Sequence, residues 1–339
     1  MTMLLSTCTD NYVLSTTDMR VSRLSGQCYS PIDEKFNKHI LYTSQSFSCD
    51  ITYTGVAEWT QNGCTTRLYD IISHCAARCA KDNVTIAELL IALTVMVKQT
   101  LGKVNKYGVT QVLELHMVGF HRECPWPFLG CISSSPIKKP WLKSTETEWH
   151  WTIYGLEIFL AFRDTHDVMV GGITSALTSS EKLRILHAAE RGANAFNLAN
   201  LCAKYIEHAA TRDARVGSRS VSLVIPINGM IDTNLWDRTE SGIIGFLPSM
   251  IFANGQVWPP SEFPVDLQVI TEGHLPPDNI FFRSIVYKTM KRSIVRRIFR
   301  RKKGKKVPGI LGLVMLGIFG NITDEYETFG LDSAEDIRS

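Results

Sequence analysis

The sequence predicts an α+β chain built as a four-layer α-β-β-α sandwich with a C-terminal extension. Three observations carry this. The first seventeen residues read as two short strands around a turn, two helix pairs alternate with groups of strands, and proline-rich loop sequence begins near residue 236. Strand groups of this kind must bury one face against another layer, and helix pairs supply the outer cover.

Each element has its own signal. Residues 2–9 and 12–17 are rich in β-branched and aromatic side chains, and Asp10-Asn11 between them marks a hairpin turn. After a polar loop containing Pro31 and Asp33, residues 38–43 and 50–54 read as strands, the second ending at Gly55. Across residues 64–80, Leu68, Ile71, Ile72 and Cys75 recur at helical spacing, and Thr85-Ile86-Ala87-Glu88 is a capping box opening a second helix to Leu101. Strands are predicted over 111–120, 130–134, 149–162 and 167–172. A third helix starts at Ser179 or Ser180 and runs to Arg191, and residues 193–211 form its partner. Strands over 220–226 and 230–235, joined by Asn228-Gly229, close the pattern. The domain reading is therefore 1–235 for the folded core and 236–339 for the extension.

Composition suits a soluble enzyme or assembly subunit: 339 residues, 45% hydrophobic and 20% charged, support a large core and at most two domains. The net charge of +3 hides an uneven distribution, with twelve Lys or Arg and no acidic residue across 283–306 and an acidic tail over 324–339. Ile285, Met290, Ile294 and Ile298 place the basic run on an amphipathic helix. That helix is expected to dock on a neighbouring subunit, with contact to an anionic membrane or nucleic acid the less favoured reading. Residues 307–322 are apolar, but four glycines and Pro308 interrupt them, and the run is too short for a membrane span.

Nine cysteines is an odd number without metal-type spacing, and Cys75 and Cys79 lie one helical turn apart. This fits a reduced cytoplasmic core better than a disulfide frame. No secretory signal precedes Thr2. The nine histidines show no metal-type pattern, so His116 and His121 are expected on strand and loop surfaces, and neither metal nor cofactor is expected. Trp126, Trp141, Trp149 and Trp151 read as core and interface.

The chemistry-bearing residues begin at Thr2. Methionine aminopeptidase removes Met1 before a small residue, which would leave Thr2 with a hydroxyl and a free α-amine. An amine with a pKa near 8 is then placed to take the hydroxyl proton. A lysine nearby lowers the pKa of that amine and an aspartate fixes the lysine, which makes Lys38 and Asp18 the candidates. Gly55, at a strand end, offers an unhindered N–H to a reacting carbonyl.

These residues resemble the N-terminal-nucleophile hydrolases, and within them the proteasome β-subunits and bacterial self-compartmentalising relatives. The stretch from Thr2 through Asp18-Met19-Arg20 matches the pattern without a gap. Lys38 in Phe36-Asn37-Lys38 looks like the family's lysine, preceded by four extra residues, and Gly55 in Thr54-Gly55-Val56-Ala57 looks like its oxyanion glycine. Arg212-Asp213-Ala214 with Gly217 looks like the later Asp-x-x-Ser-Gly element, although Val216 stands at the serine position and Ser218 is the available substitute. The serine of the family's Gly-Ser-Gly turn has no counterpart in Gly171-Gly172-Ile173-Thr174.

The resemblance covers roughly residues 2–235. It implies catalytic roles for Thr2, Asp18, Lys38, Gly55, Asp213 and Ser218, and places Arg20, Val21, Tyr53 and Ala57 at the substrate. It further implies a threonine-type endopeptidase acting on peptide or protein within a homo-oligomeric ring. A regulatory ATPase is left open. A catalytically silent scaffold or binding subunit of the same fold and a small-molecule amidase are the alternatives.

Overall fold

A computed structural model describes residues 2–25, 28–33, 36, 38–55, 57–61, 64–104, 113–124, 126–136, 148–163, 166–227, 236–237, 249–251, 253–255 and 257–258. Among them run strands β1 (Met3–Cys8), β2 (Tyr12–Asp18), β3 (Val21–Ser25), β4 (Cys28–Asp33), β5 (Ile40–Thr43), β6 (Phe47–Gly55), β7 (Glu58–Gln61) and β8 (Cys64–Arg67). Helices α1 (Leu68–Lys81) and α2 (Ile86–Val104) follow. Then come β9 (Leu113–His121), β10 (Pro127–Ser133), β11 (Glu148–Ile153), β12 (Leu156–Phe162) and β13 (Asp167–Gly172). Helices α3 (Ser179–Glu190) and α4 (Ala195–Arg212) precede β14 (Ser220–Pro226), and three short strands complete the described elements: β15 (Trp236–Asp237), β16 (Ser249–Ile251) and β17 (Val257–Trp258).

The result is a mixed α+β architecture of two principal sheets and four helices. One sheet has the order β13-β1-β2-β14-β15 and the other β11-β12-β10-β9-β6-β5-β16-β17. Pairing is antiparallel throughout except between β5 and β16. The first hairpin turns where Asp10-Asn11 predicts it. Thr9 closes that turn, its hydroxyl donating to Tyr12 O at 2.7 Å and accepting from Tyr12 N at 3.0 Å.

Three apolar clusters hold the elements together. The first joins α1 and α2 to one face of the larger sheet through Ile72, Leu90, Leu93, Ile51, Met117 and Phe128. The second joins α3 and α4 to the smaller sheet through Ile185, Leu198, Ile206, Leu5, Leu14 and Val170. The third brings the two sheets face to face through Val13, Leu41, Val118, Leu129, Met169 and Leu223. Each fully buried aliphatic side chain contributes about 1.5–3 kcal/mol of hydrophobic stabilisation before entropy is counted.

Two helix starts follow the sequence signals. The Thr85–Glu88 box is reciprocal, with Thr85 N donating to Glu88 Oε2 at 2.6 Å and Glu88 N to Thr85 Oγ1 at 3.3 Å. α3 carries a second box, Thr178 with Glu181. Other expectations are corrected. The helix predicted from residue 64 starts at Leu68, because Thr65 and Thr66 are β-branched and pair in a hairpin with Thr60 and Trp59. The strand predicted over 149–162 is two strands, since Tyr154 and Gly155 both take positive φ (53° and 76°), as a tight hairpin turn requires. The polar loop expected around Pro31 and Asp33 is corrected too: both residues lie in β4, which pairs with β3.

The expected extension also contributes structure: β15 pairs with β14, β16 joins β5, and Ile251 is fully buried in the first cluster. The strand expected over 230–235, the basic run 283–306, the apolar run 307–322 and the acidic tail 324–339 lie outside the described residues. Among the described residues no helix is long and apolar enough to cross a membrane. Cys8, Cys49, Cys75, Cys79, Cys124, Cys131 and Cys202 are free thiols.

Candidate functional site

The sheet order places β1 between β13 and β2, so Thr2, entering β1, lies beside the ends of both neighbours. The other sheet brings Lys38, two residues before β5, and the end of β6 to the same region. Thr2 is 4% exposed, and its hydroxyl accepts a hydrogen bond from Lys38 Nζ at 2.5 Å.

Lys38 is fully enclosed. Besides Thr2 Oγ1 its ammonium donates to Asp18 Oδ1 at 2.7 Å, Asp18 O at 3.0 Å and Arg20 O at 2.7 Å. Four acceptors surround a group with three protons, so at least one proton is shared and the charge is held at a fixed point. The second Asp18 oxygen accepts from Gly217 N at 2.7 Å. Burial pushes the Asp18 carboxyl above its ordinary range, opposed by the Lys38 charge, their hydrogen bond and the Gly217 N–H. A buried carboxylate without these partners would be costly, so the pair and the glycine form one unit.

The backbone of Thr2 is held from the other sheet. Its N–H donates to Thr54 Oγ1 at 3.0 Å, Thr54 Oγ1 donates to Thr2 O at 3.2 Å, and Ile173 N donates to the same carbonyl at 3.1 Å. Gly172 makes this approach possible. It takes φ +73°, and a Cβ there would meet Thr2 O at 1.8 Å, well inside any tolerable contact. Gly55 follows Thr54 at the end of β6 with φ +103°, a backbone that favours glycine.

Of the residues singled out in the sequence, Thr2, Asp18 and Lys38 are thus directly bonded together, and Gly55 is one residue from the Thr54 hydroxyl that holds Thr2. Arg20 reaches the same unit through its carbonyl, while its guanidinium donates to Ala214 O at 2.6 Å. Val21 is buried at the start of β3. Ala57 is partly buried beside the first cluster, and Tyr53 lies within that cluster at 1% exposure, on the helix side of its sheet.

Asp213 caps the C-terminus of α4 and binds Arg215, which holds its carboxyl below the ordinary range through side-chain and backbone hydrogen bonds. Ser218 is exposed. Neither has a hydrogen bond with Thr2 among the described residues. It is Gly217, between them, that touches Asp18.

Sequence reasoning missed two contributors. Thr54 carries no signal of its own beside Gly55, yet strand alternation in β6 puts Asp50, Thr52 and Thr54 on the sheet-facing side opposite Ile51 and Tyr53. Glu114, paired with Thr54 across β6 and β9, accepts from Gly172 N at 3.2 Å. The expectation that His116 and His121 lie on surfaces is corrected as well, since both are buried, at 0% and 4% exposure. Alternation along β9 turns His116, like Val118 and Phe120, toward the opposing sheet.

No protein-family model matches the chain, and no curated protein matches it. Among solved structures it is similar to Anbu (ancestral beta-subunit) from Yersinia bercovieri, at 14% identity and TM-score 0.46 over 71% of this chain and 88% of that one. It is also similar to the subunit of a helical assembly of the Anbu complex from Pseudomonas aeruginosa, at 12% identity and TM-score 0.45 over 91% and 99%. An Anbu (Gly-1) mutant from Hyphomicrobium sp. strain MC1 gives 10% identity and TM-score 0.43 over 71% and 89%. What stands is a likeness to subunits that are proteasome-like in name. The assignment to the N-terminal-nucleophile hydrolases drawn from the motif spacing is corrected accordingly: no family model carries it, and identities of 10–14% with TM-scores below 0.5 provide no evidence for it.

Proposed function

We propose that this chain hydrolyses amide bonds as a threonine-type endopeptidase, with Thr2 as nucleophile. The observation that carries the reading is the 2.5 Å hydrogen bond from a buried, aspartate-bound lysine to the Thr2 hydroxyl. A buried ammonium aimed at a hydroxyl oxygen favours its deprotonated form.

Removal of the residue before Thr2 frees its amine. That amine takes the Oγ1 proton as Oγ1 attacks the substrate carbonyl, and Lys38 stabilises the charge developing on Oγ1. The Gly55 N–H receives the oxyanion. Collapse of the tetrahedral intermediate breaks the C–N bond, the departing amine leaves with the proton held by the Thr2 amine, and water repeats the sequence to release the acid and restore Oγ1–H. Asp18 is a positioning residue for Lys38. Thr54, now bonded to Thr2 N, orients the amine.

The architecture belongs to the same proposal. The three apolar clusters support four layers, α-β-β-α, over residues 1–235, with 236–339 as an extension whose first strands return to the sheets. A homo-oligomer is part of the same proposal. Peptide or protein is the proposed substrate.

The test is a peptide epoxyketone, which reacts with a hydroxyl and a free amine on one residue. Intact mass should show a chain beginning at Thr2 that gains one label, and Thr2→Ala should fold normally and gain none. A retained residue before Thr2, or labelling that persists in the alanine variant, would overturn the nucleophile and favour a non-catalytic subunit.

A further inference from the structure

The face of β9 that meets the opposing sheet carries a second group of reactive side chains, which the proposed hydrolysis does not use. Glu114 and His116 stand two residues apart on that face, and Cys131 on β10 is the cross-strand partner of His116. Period-two alternation therefore brings a carboxylate, an imidazole and a thiol together on one side of the sheet. His116 Nε2 lies 2.7 Å from Glu114 Oε1, and Cys131 Sγ lies 3.7 Å from the same oxygen. All three donor atoms fall within 4.8 Å of one another.

We propose that Glu114, His116 and Cys131 form a binding site for a borderline divalent transition-metal cation, zinc above all. One carboxylate oxygen, one imidazole nitrogen and one thiolate are the donor types zinc accepts, and three protein ligands leave one position open. Tetrahedral zinc with bonds of about 2.0–2.3 Å sets its ligand atoms about 3.3–3.7 Å apart. The sulfur–oxygen separation already has this value, and the nitrogen–oxygen separation of 2.7 Å needs to open by about 0.6 Å once the shared proton leaves.

The surroundings favour a cation. His116 and Cys131 are fully buried while Glu114 keeps 18% exposure, so the carboxylate faces the way in. Glu114 Oε2 is fixed by the Gly172 N–H at 3.2 Å, an outer hydrogen bond of the kind that orients metal-bound carboxylates. Gly171 leaves room for the imidazole, since a Cβ there would meet His116 Cε1 at 2.2 Å. The site also touches the Thr2 region, because Gly172 holds Glu114 and the following residue, Ile173, holds the Thr2 carbonyl.

Cobalt(II) titration of the full-length protein tests the site, as a thiolate bound to cobalt absorbs in the near ultraviolet. One equivalent should bind with that absorption and should be displaced by zinc. Cys131→Ser should abolish the band, and Glu114→Gln should weaken uptake by roughly tenfold or more, both with unchanged far-ultraviolet circular dichroism. Thr2→Ala should bind cobalt as the parent chain does, so loss of the proposed hydrolysis leaves this site standing. Absence of stoichiometric uptake, or a thiolate band that survives in Cys131→Ser, would overturn the proposal.

Discussion

Among the described residues a lysine and an arginine are sealed from solvent, and their surroundings differ in kind. Lys38, 1% exposed, meets Asp18, two backbone carbonyls and the Thr2 hydroxyl. Arg163, 0% exposed, meets Asp167 at 3.0 Å and Glu148 at 3.1 Å, and its backbone N–H donates to Pro127 O at 2.9 Å. Arg163 thus ties together β10, β11, β12 and β13, and its side chain meets two carboxylates. Burial of a charge is common to both and distinguishes neither. What singles out Lys38 is that one of its acceptors is a hydroxyl able to become a nucleophile.

Methionine at each position breaks or sharpens this contrast. Truncating one partner of a buried ion pair costs about 3–5 kcal/mol, because the other charge is left behind. Both Lys38→Met and Arg163→Met should therefore lower the midpoint of denaturant unfolding. Only Lys38→Met should also slow epoxyketone labelling, by about 10²-fold or more per folded molecule, the usual range for a proton-transfer group. Arg163→Met should label at the parent rate once corrected for the folded fraction. Equal rates in the two variants would reduce Lys38 to a structural cation.

How much of this was readable in the sequence follows from the range of each interaction. Local signals held where the deciding contacts are local: the Asp10-Asn11 turn, the Thr85–Glu88 box and the apolar spacing of α1 need only neighbours along the chain. Positive φ at Tyr154 and the pairing of β7 with β8 depend on how the chain turns back, which spacing alone does not encode. In the site, Thr2, Asp18 and Lys38 were proposed together from spacing. Thr54 and Glu114 were not, because their partners lie 52 and 58 residues away and each otherwise reads as an ordinary strand residue. Gly217 reaches Asp18 across 199 residues. His116 was placed on a surface because a histidine between Leu115 and Met117 gives no sign of which face meets the second sheet.

Thr54 offers a smaller effect that bears on the same contrast. Its hydroxyl holds the Thr2 N and O atoms, so Thr54→Val tests the placement of the amine with Lys38 and Asp18 left in place. Loss of one buried hydrogen bond is worth about 1–1.5 kcal/mol, or roughly tenfold in rate. Thr54→Val should slow labelling by about that factor, and Thr54→Ser, which keeps the oxygen, should recover most of it. An unchanged rate in the valine variant would confine Thr54 to packing.

The smallest expected effect comes from an ion pair of which only the arginine reaches solvent. Glu181 caps α3 and accepts from Arg212 at 2.7 and 2.9 Å, with Arg212 40% exposed. The Arg212 hydrogen bonds, joined by those from Thr178 and His208, hold the Glu181 carboxyl down to about 2. Its value in the unfolded chain is about 4.3, so the unfolded state binds this proton first. The sign is that of a depressed acid: the stabilisation is complete above about pH 4.3 and is lost as pH falls toward 2. Glu181→Gln should therefore be slightly less stable than the parent chain at pH 6, with the difference closing between pH 4.3 and 2. Because Arg212 is 40% exposed and its charge is screened by solvent, the effect should be well below that of Arg163→Met. Denaturant midpoints measured across this range decide the matter, and a difference that stays constant with pH would show that the carboxylate charge contributes nothing and only the shape of the cap matters.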